Sequence, residues 1–251
     1  MDGFFDGLMR WRVPEHGVQS PLFFRDLGAF ALVFNGATEA VKPLLPDARM
    51  RPVEVLPGRC LVVVAAVQYR DTDLGAYDEI AVGFPVATGD HPLPAFDALW
   101  RSLGRSLNVW IWKMPVSTEV AWRVGEGIAG FPKWVADVRI SEHDGQAHAA
   151  LWDQGAPVLE FSCPAGDAPG ERTLKLRSHT VKDGVPLQSL MLLRQLRWRD
   201  HLQRDAARLV LGQGALADAL RALQLGERPL ASEYCSRAQA LLFHPRNLRD
   251  D

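Results

Sequence analysis

Apolar and polar positions along the chain form short runs broken by turn residues, not long helical stripes. Phe23–Phe34 is rich in Phe, Leu and Val and ends at Asn35-Gly36, which predicts a strand. Ala37, Ala40, Val41, Leu44 and Leu45 then recur at helical spacing before Pro46, so a short helix is expected over 37–45. Strands are expected at Arg51–Leu56, Arg59–Tyr69 and Tyr77–Val86, because Pro57-Gly58 and the polar stretch Asp71–Gly75 punctuate β-branched and aromatic runs; two hairpins follow. Asn108–Met114 reads NVWIWKM, a further strand. Ser117-Thr118-Glu119 opens a helix that must stop among Gly125, Gly127 and Gly130, where a functional loop is expected to begin. Strands follow at Trp134–Ile140, Ala147–Asp153 and Val158–Cys163, with turns at His143-Asp144-Gly145 and Gly155-Ala156-Pro157. Leu187–Leu211 fits a helix or a buried strand equally well, and its arginines read as a solvated face paired with Asp200 and Asp205. An amphipathic helix at Ala215–Leu225 and a last strand at Ser232–Phe243 complete a predominantly antiparallel β protein. With no repeat and no linker, a single domain over residues 1–251 is the simplest organisation.

Composition removes several classes of function. The 251 residues carry 28 Lys+Arg against 30 Asp+Glu, a formal net charge of −2, so no basic field draws nucleic acid. The longest apolar run, the eight residues from Cys60 to Val67, falls far short of the roughly 20 needed to span a bilayer. Cys60, Cys163 and Cys235 lie far apart and outside any CxxC spacing, which suits a reducing cytoplasm and implies neither disulfides nor zinc. No pair of histidines has metal-site spacing, and no GxSxG, GxGxxG or Walker sequence occurs. The N-terminus places Asp2 and Asp6 where a signal peptide has basic residues, and it reads as mature protein.

One stretch concentrates unusual chemistry. In Gly125–Asp137, Lys133 lies between Pro132 and Trp134, beside Phe131 and in a glycine-rich neighbourhood. The residues alone leave two readings: a lysine whose stem packs on Trp134, or an ammonium desolvated by its aromatic neighbours. Bringing a lysine pKa from ~10.4 to ~7 takes on the order of 4–5 kcal/mol, and yields an amine able to condense with a carbonyl at neutral pH.

Gly130-Phe131-Pro132-Lys133 resembles the acetoacetate decarboxylase family, whose catalytic lysine follows an aromatic-Pro pair after a Gly-rich turn. Leu74-Gly75-Ala76-Tyr77-Asp78-Glu79 is similar to the family's approach to a proton-handling glutamate, and Ala207–Leu211, a helix and a strand ending near Phe243 resemble its final strand–helix–strand. The resemblance spans about Pro21 to Pro245. It implies an α+β single domain around an antiparallel, barrel-like sheet, strands in Leu187–Leu211, and a mainly apolar pocket holding Lys133. It further implies Lys133 and Glu79 as catalytic residues, Phe131, Trp134 and Glu126 near the substrate, a small oxo acid as that substrate, no cofactor or metal, and a homo-oligomer. Three departures stand out. Trp134 replaces a second lysine, so apolar burial alone is expected to lower the amine's pKa. Glu126-Gly127 replaces an Arg-Glu pair. The family's first-strand arginine falls at Leu27, with Arg25 two residues away as a stand-in. The expected reaction is decarboxylation of a 3-oxo acid such as acetoacetate through an imine at Lys133. The alternatives are a Schiff-base aldolase-dehydratase or cyclase with Tyr234 as its acid, or a small-molecule binding protein without chemistry.

Overall fold

The structure, a computed structural model, describes residues 3–47, 49–88, 106–202 and 204–249. The strands are β1 (Trp11–Val13), β2 (Val18–Ser20), β3 (Leu22–Ala37), β4 (Met50–Pro52), β5 (Glu54–Leu56), β6 (Arg59–Thr72), β7 (Tyr77–Thr88), β8 (Ser106–Val116), β9 (Lys133–Val135), β10 (Asp137–His143), β11 (Gln146–Asp153), β12 (Ala156–Pro164), β13 (Ala168–Lys182), β14 (Val185–His201), β15 (Arg208–Leu211), β16 (Ala231–Leu242) and β17 (Arg246–Asn247). The α-helices are α1 (Thr38–Val41), α2 (Glu119–Ala129) and α3 (Ala215–Ala222). None of the described helices is long and apolar enough to cross a membrane.

Seven long strands close on themselves in the order β7-β6-β3-β16-β14-β13-β8, with β8 returning to pair with β7. The expectation of an antiparallel sheet needs one correction, and counting explains it. Each antiparallel step reverses direction, so a closed ring of seven cannot be antiparallel throughout; here β13 runs parallel to β8. A second parallel pair, β8 with β9, brackets α2 in a strand–helix–strand unit. Leu187–Leu211 is mostly strand β14, and two-residue turns of left-handed residues form the hairpins at Asp144-Gly145, Gln154-Gly155 and Asp183-Gly184. The arginines of β14 take other partners than expected: Arg194 pairs with Glu171 and Arg197 with Asp167.

A second sheet, β10-β11-β12-β15, covers the outside of the barrel. Phe30, Leu32 and Phe34 of β3, Val62 and Val64 of β6 and Phe84 of β7 face outward into a core shared with this sheet and α3. Their neighbours one residue along, such as Ala31, Val33, Val63, Ala65 and Ala81, face the barrel interior and are only half-buried. Over this stretch the usual order of burial is inverted: the outward side chains are buried and these inward ones keep partial exposure. One end of the interior is closed, where Leu27, Tyr69, Tyr77, Val116 and Ala238 meet Ala121 and Val124 of α2.

Candidate active site

Lys133 is the first residue of β9, and the chain reaches it through a tightly specified corner. Thr118 caps α2 by accepting from the Ala121 amide. Gly130 ends the helix at φ 62°, a left-handed position suited to glycine. Pro132 then fixes a turn in which the Lys133 amide donates to the Phe131 carbonyl at 2.7 Å, while the Met114 amide of β8 donates to the Pro132 carbonyl at 3.1 Å. Gly125 and Gly127 therefore lie within the helix, and the short connection to Lys133 begins at Gly130, the last of the three. A Cβ on Gly125 would lie 2.7 Å from Lys133 Cε and 2.8 Å from Cδ, so the bare helix surface is the groove in which the lysine stem lies. Gly127, on another side of α2, makes the same allowance for the His16 ring.

The Lys133 ammonium ends 2.7 Å from Glu79 Oε2, and both side chains are 6% exposed. Glu79 comes from β7, opposite Val116 in register, on the inward face of the wall. Its other oxygen accepts from the Tyr69 hydroxyl at 3.4 Å. Tyr69 and Tyr77 stack at 4.4 Å, and Lys133 Nζ sits 5.5 Å from the Tyr77 ring centre and 5.7 Å from that of Phe131. Burial holds both phenols well above their ordinary range, and the neighbouring carboxylate adds to this, so they remain protonated donors. Burial also pushes the adjacent Asp78 carboxyl up to about 6.

Lys133, Glu79 and Phe131 are thus brought together; the other sequence-chosen residues are not. Trp134 follows Lys133 in a strand and so points the opposite way, into the core under the outer sheet. The cover over the ammonium is Tyr77 and Phe131 instead, and the surroundings are not apolar throughout, because the Glu79 carboxylate touches the amine. Arg25 is exposed and pairs with Asp73 at 2.7 Å and Asp71 at 3.6 Å, outside this cluster. Glu126 is exposed on α2. Tyr234 faces the outer core and donates to Glu142 Oε2 on β10 at 2.5 Å, on the opposite side of the wall from Lys133. Sequence reasoning passed over Tyr69 and Gly125. Tyr69 was signalled by its hairpin symmetry with Tyr77, whereas Gly125 needed the structure.

A lysine and glutamate buried as a contact pair within the barrel is the arrangement against which family membership is to be read. The family model for acetoacetate decarboxylase matches residues 13–231. The chain belongs to that family. A search of curated proteins finds no match. Among solved structures, an acetoacetate decarboxylase is 18% identical with a TM-score of 0.61, over 91% of this chain and 89% of the other. The acetoacetate decarboxylase of Legionella pneumophila is 15% identical with a TM-score of 0.63, over 91% and 87%. The enduracididine biosynthesis enzyme MppR, solved with pyruvate, is 14% identical with a TM-score of 0.63, over 96% and 98%. At these identities the likeness establishes the shared barrel fold.

Proposed function

We propose that this member of the acetoacetate decarboxylase family is a Schiff-base lyase for small oxo acids, decarboxylating a 3-oxo acid such as acetoacetate through an imine at Lys133. The observation that carries the reading is the buried 2.7 Å contact between Lys133 and Glu79. In that site the ammonium passes its proton to Glu79, and the amine attacks the ketone carbon. Glu79 returns the proton to the carbinolamine oxygen, water leaves, and a protonated imine remains. The imine nitrogen takes up the electron pair released as the C–C bond to the carboxylate breaks, giving carbon dioxide and a neutral enamine. A proton taken up from solvent through Glu79 reaches the enamine carbon, and water then releases the ketone. One proton is consumed per turnover.

Aldol-type chemistry retains the substrate carboxylate and needs a cation to hold it. Arg25, the cation considered for that role, is engaged by Asp71 and Asp73, and Tyr234 lies behind the wall, so decarboxylation is favoured. A binding protein without chemistry has little use for a buried ion pair that apolar side chains replace at no loss of stability. On this reading the protein acts without a cofactor, as a cytoplasmic homo-oligomer. The test is incubation with acetoacetate, borohydride trapping and mass spectrometry, with carbon dioxide release measured in parallel. Labelling at Lys133, and not at Lys113 or Lys182, is expected. Labelling elsewhere, or none, overturns the proposal.

A further inference from the structure

The Glu79 carboxylate is held from two sides, and one of the two holds changes during a reaction at Lys133. Among the described residues its donors are Lys133 Nζ, 2.7 Å from Oε2, and the Tyr69 hydroxyl, 3.4 Å from Oε1. The lysine nitrogen is an inconstant donor. As an ammonium it offers three N–H groups, as the attacking amine it must turn its lone pair to the carbonyl carbon, and as the imine or enamine it keeps a single N–H. The contact that fixes Glu79 in the resting site is thus weakened at the steps where its carboxyl group must act. The terminal torsion of a glutamate is broad, so a carboxyl group held by one changing partner is free to turn.

Tyr69 offers a hold that does not change. It stands on β6 directly opposite Tyr77 in register, which makes Glu79, two residues along β7 on the same face, its diagonal neighbour. A phenol is long enough to span that diagonal. The Tyr69 ring is stacked on Tyr77 at 4.4 Å and packed against Phe24 at 4.9 Å, and the residue is 5% exposed. A hydroxyl so buried costs stability unless it is bonded, and phenylalanine would fill the same space without one. Burial, with the carboxylate beside it, keeps this phenol protonated at neutral pH, so it remains a donor at every step.

We propose that Tyr69 is a positioning residue: it holds Glu79 through Oε1 throughout the cycle, so that Oε2 alone trades protons with the Lys133 nitrogen and then with the substrate carbon. This rests on the reading of Lys133 as the nucleophile. The step most exposed to its loss is the proton transfer between Glu79 and the carbon beside the imine, when the nitrogen is no longer an ammonium. That transfer also runs in reverse from a product ketone. The protonated imine of acetone loses a methyl proton to Glu79, the C–H electron pair becomes the C=C bond, and the C=N pair moves onto nitrogen to give a neutral enamine. The carboxyl group exchanges its proton with solvent and returns one to the carbon.

The test follows acetone in deuterium oxide with wild type and Tyr69→Phe. Deuterium entering the methyl groups is measured by NMR, and the imine at Lys133 by borohydride trapping of the same sample. Exchange per trapped imine is expected to fall about tenfold in Tyr69→Phe, the effect of one hydrogen bond to a charged group. A variant that had merely lost stability would trap less imine and exchange proportionately less, leaving the ratio unchanged. An unchanged ratio, with imine trapped at Lys133 in the wild type, overturns the proposal and leaves the Schiff-base reading standing. If the wild type forms no imine at Lys133, that reading fails and the proposal falls with it.

Discussion

Replacing Gly125 by alanine sets two physical effects against each other with opposite signs. Position 125 is inside α2, where glycine is worse than alanine by roughly 0.5–1 kcal/mol, so propensity alone makes Gly125→Ala stabilising. The added methyl, however, would stand 2.7 Å from Lys133 Cε, 2.8 Å from Cδ and 3.1 Å from Nζ, closer than carbon atoms approach one another. Either α2 moves away from β9 or the lysine stem leaves its groove. Overpacking of this kind costs about 1–3 kcal/mol, which leaves a net loss of about 1–2 kcal/mol, or roughly 2–8 °C in Tm for a chain of this size. A stem that leaves its groove also draws Nζ away from Glu79, and a misplacement near 1 Å reduces the rate of covalent capture on the order of 100-fold. Differential scanning calorimetry and the time course of borohydride trapping at Lys133 measure the two effects on the same sample. A variant that melts higher than the wild type and traps at the same rate would show that Gly125 is an ordinary helix glycine with no part in placing the lysine.

Other perturbations follow from the same geometry. Lys133→Met and Glu79→Gln should each destabilise by about 3–5 kcal/mol by leaving a buried charge unpaired, and the double variant should recover most of that loss, as chemical denaturation of the four proteins will reveal. Trp134→Ala should lower Tm without moving the pH–rate profile, because the indole faces the outer core; a profile that shifts would place Trp134 back over the amine. His179 is 2% exposed and bonded at 3.2 Å to Asn108 Oδ1; burial, helped by Arg177 and Arg246, lowers its pKa to about 4. Its folded value lies below its unfolded value of ~6.5, so its contribution is complete above ~6.5 and is lost as pH falls through about 4. The loss amounts to about 3 kcal/mol. His179→Gln should flatten this acid limb in denaturant titrations at successive pH values.

Local pattern carried much of the fold because the strands are punctuated by residues with fixed turn chemistry. Asp71–Gly75 and His143-Asp144-Gly145 mark real hairpin turns for that reason. β13 was not legible: its inward residues, Leu174, Leu176, Ser178 and Thr180, alternate with Lys175, Arg177 and His179, and half of them are polar. Asn35-Gly36 has turn composition yet continues β3, since Gly36 lies where a Cβ would meet Val62 at 2.8 Å and the Leu223 carbonyl at 3.3 Å. At the site, the motif located Lys133 and Glu79, 54 residues apart and joined across β7, β8 and β9. Sequence adjacency misassigned Trp134, because neighbours in a strand point apart.

The single parallel seam in the ring has an architectural consequence. Two antiparallel neighbours are joined by a turn at one end, but the chain leaving β8 must travel the full height of the barrel before it can enter β13 in the same direction. That return journey contains α2, Lys133 and the three strands β10, β11 and β12. The plug at the closed end, the reactive amine and three of the outer jacket's four strands are therefore one continuous excursion, imposed by the odd strand count. An even-membered ring needs no such seam and can be joined by hairpins alone, so it offers this chain no compulsory detour on which to mount a site. The element that looks most like decoration on the barrel, its outer sheet, is built largely from the second half of the detour whose first half mounts the lysine.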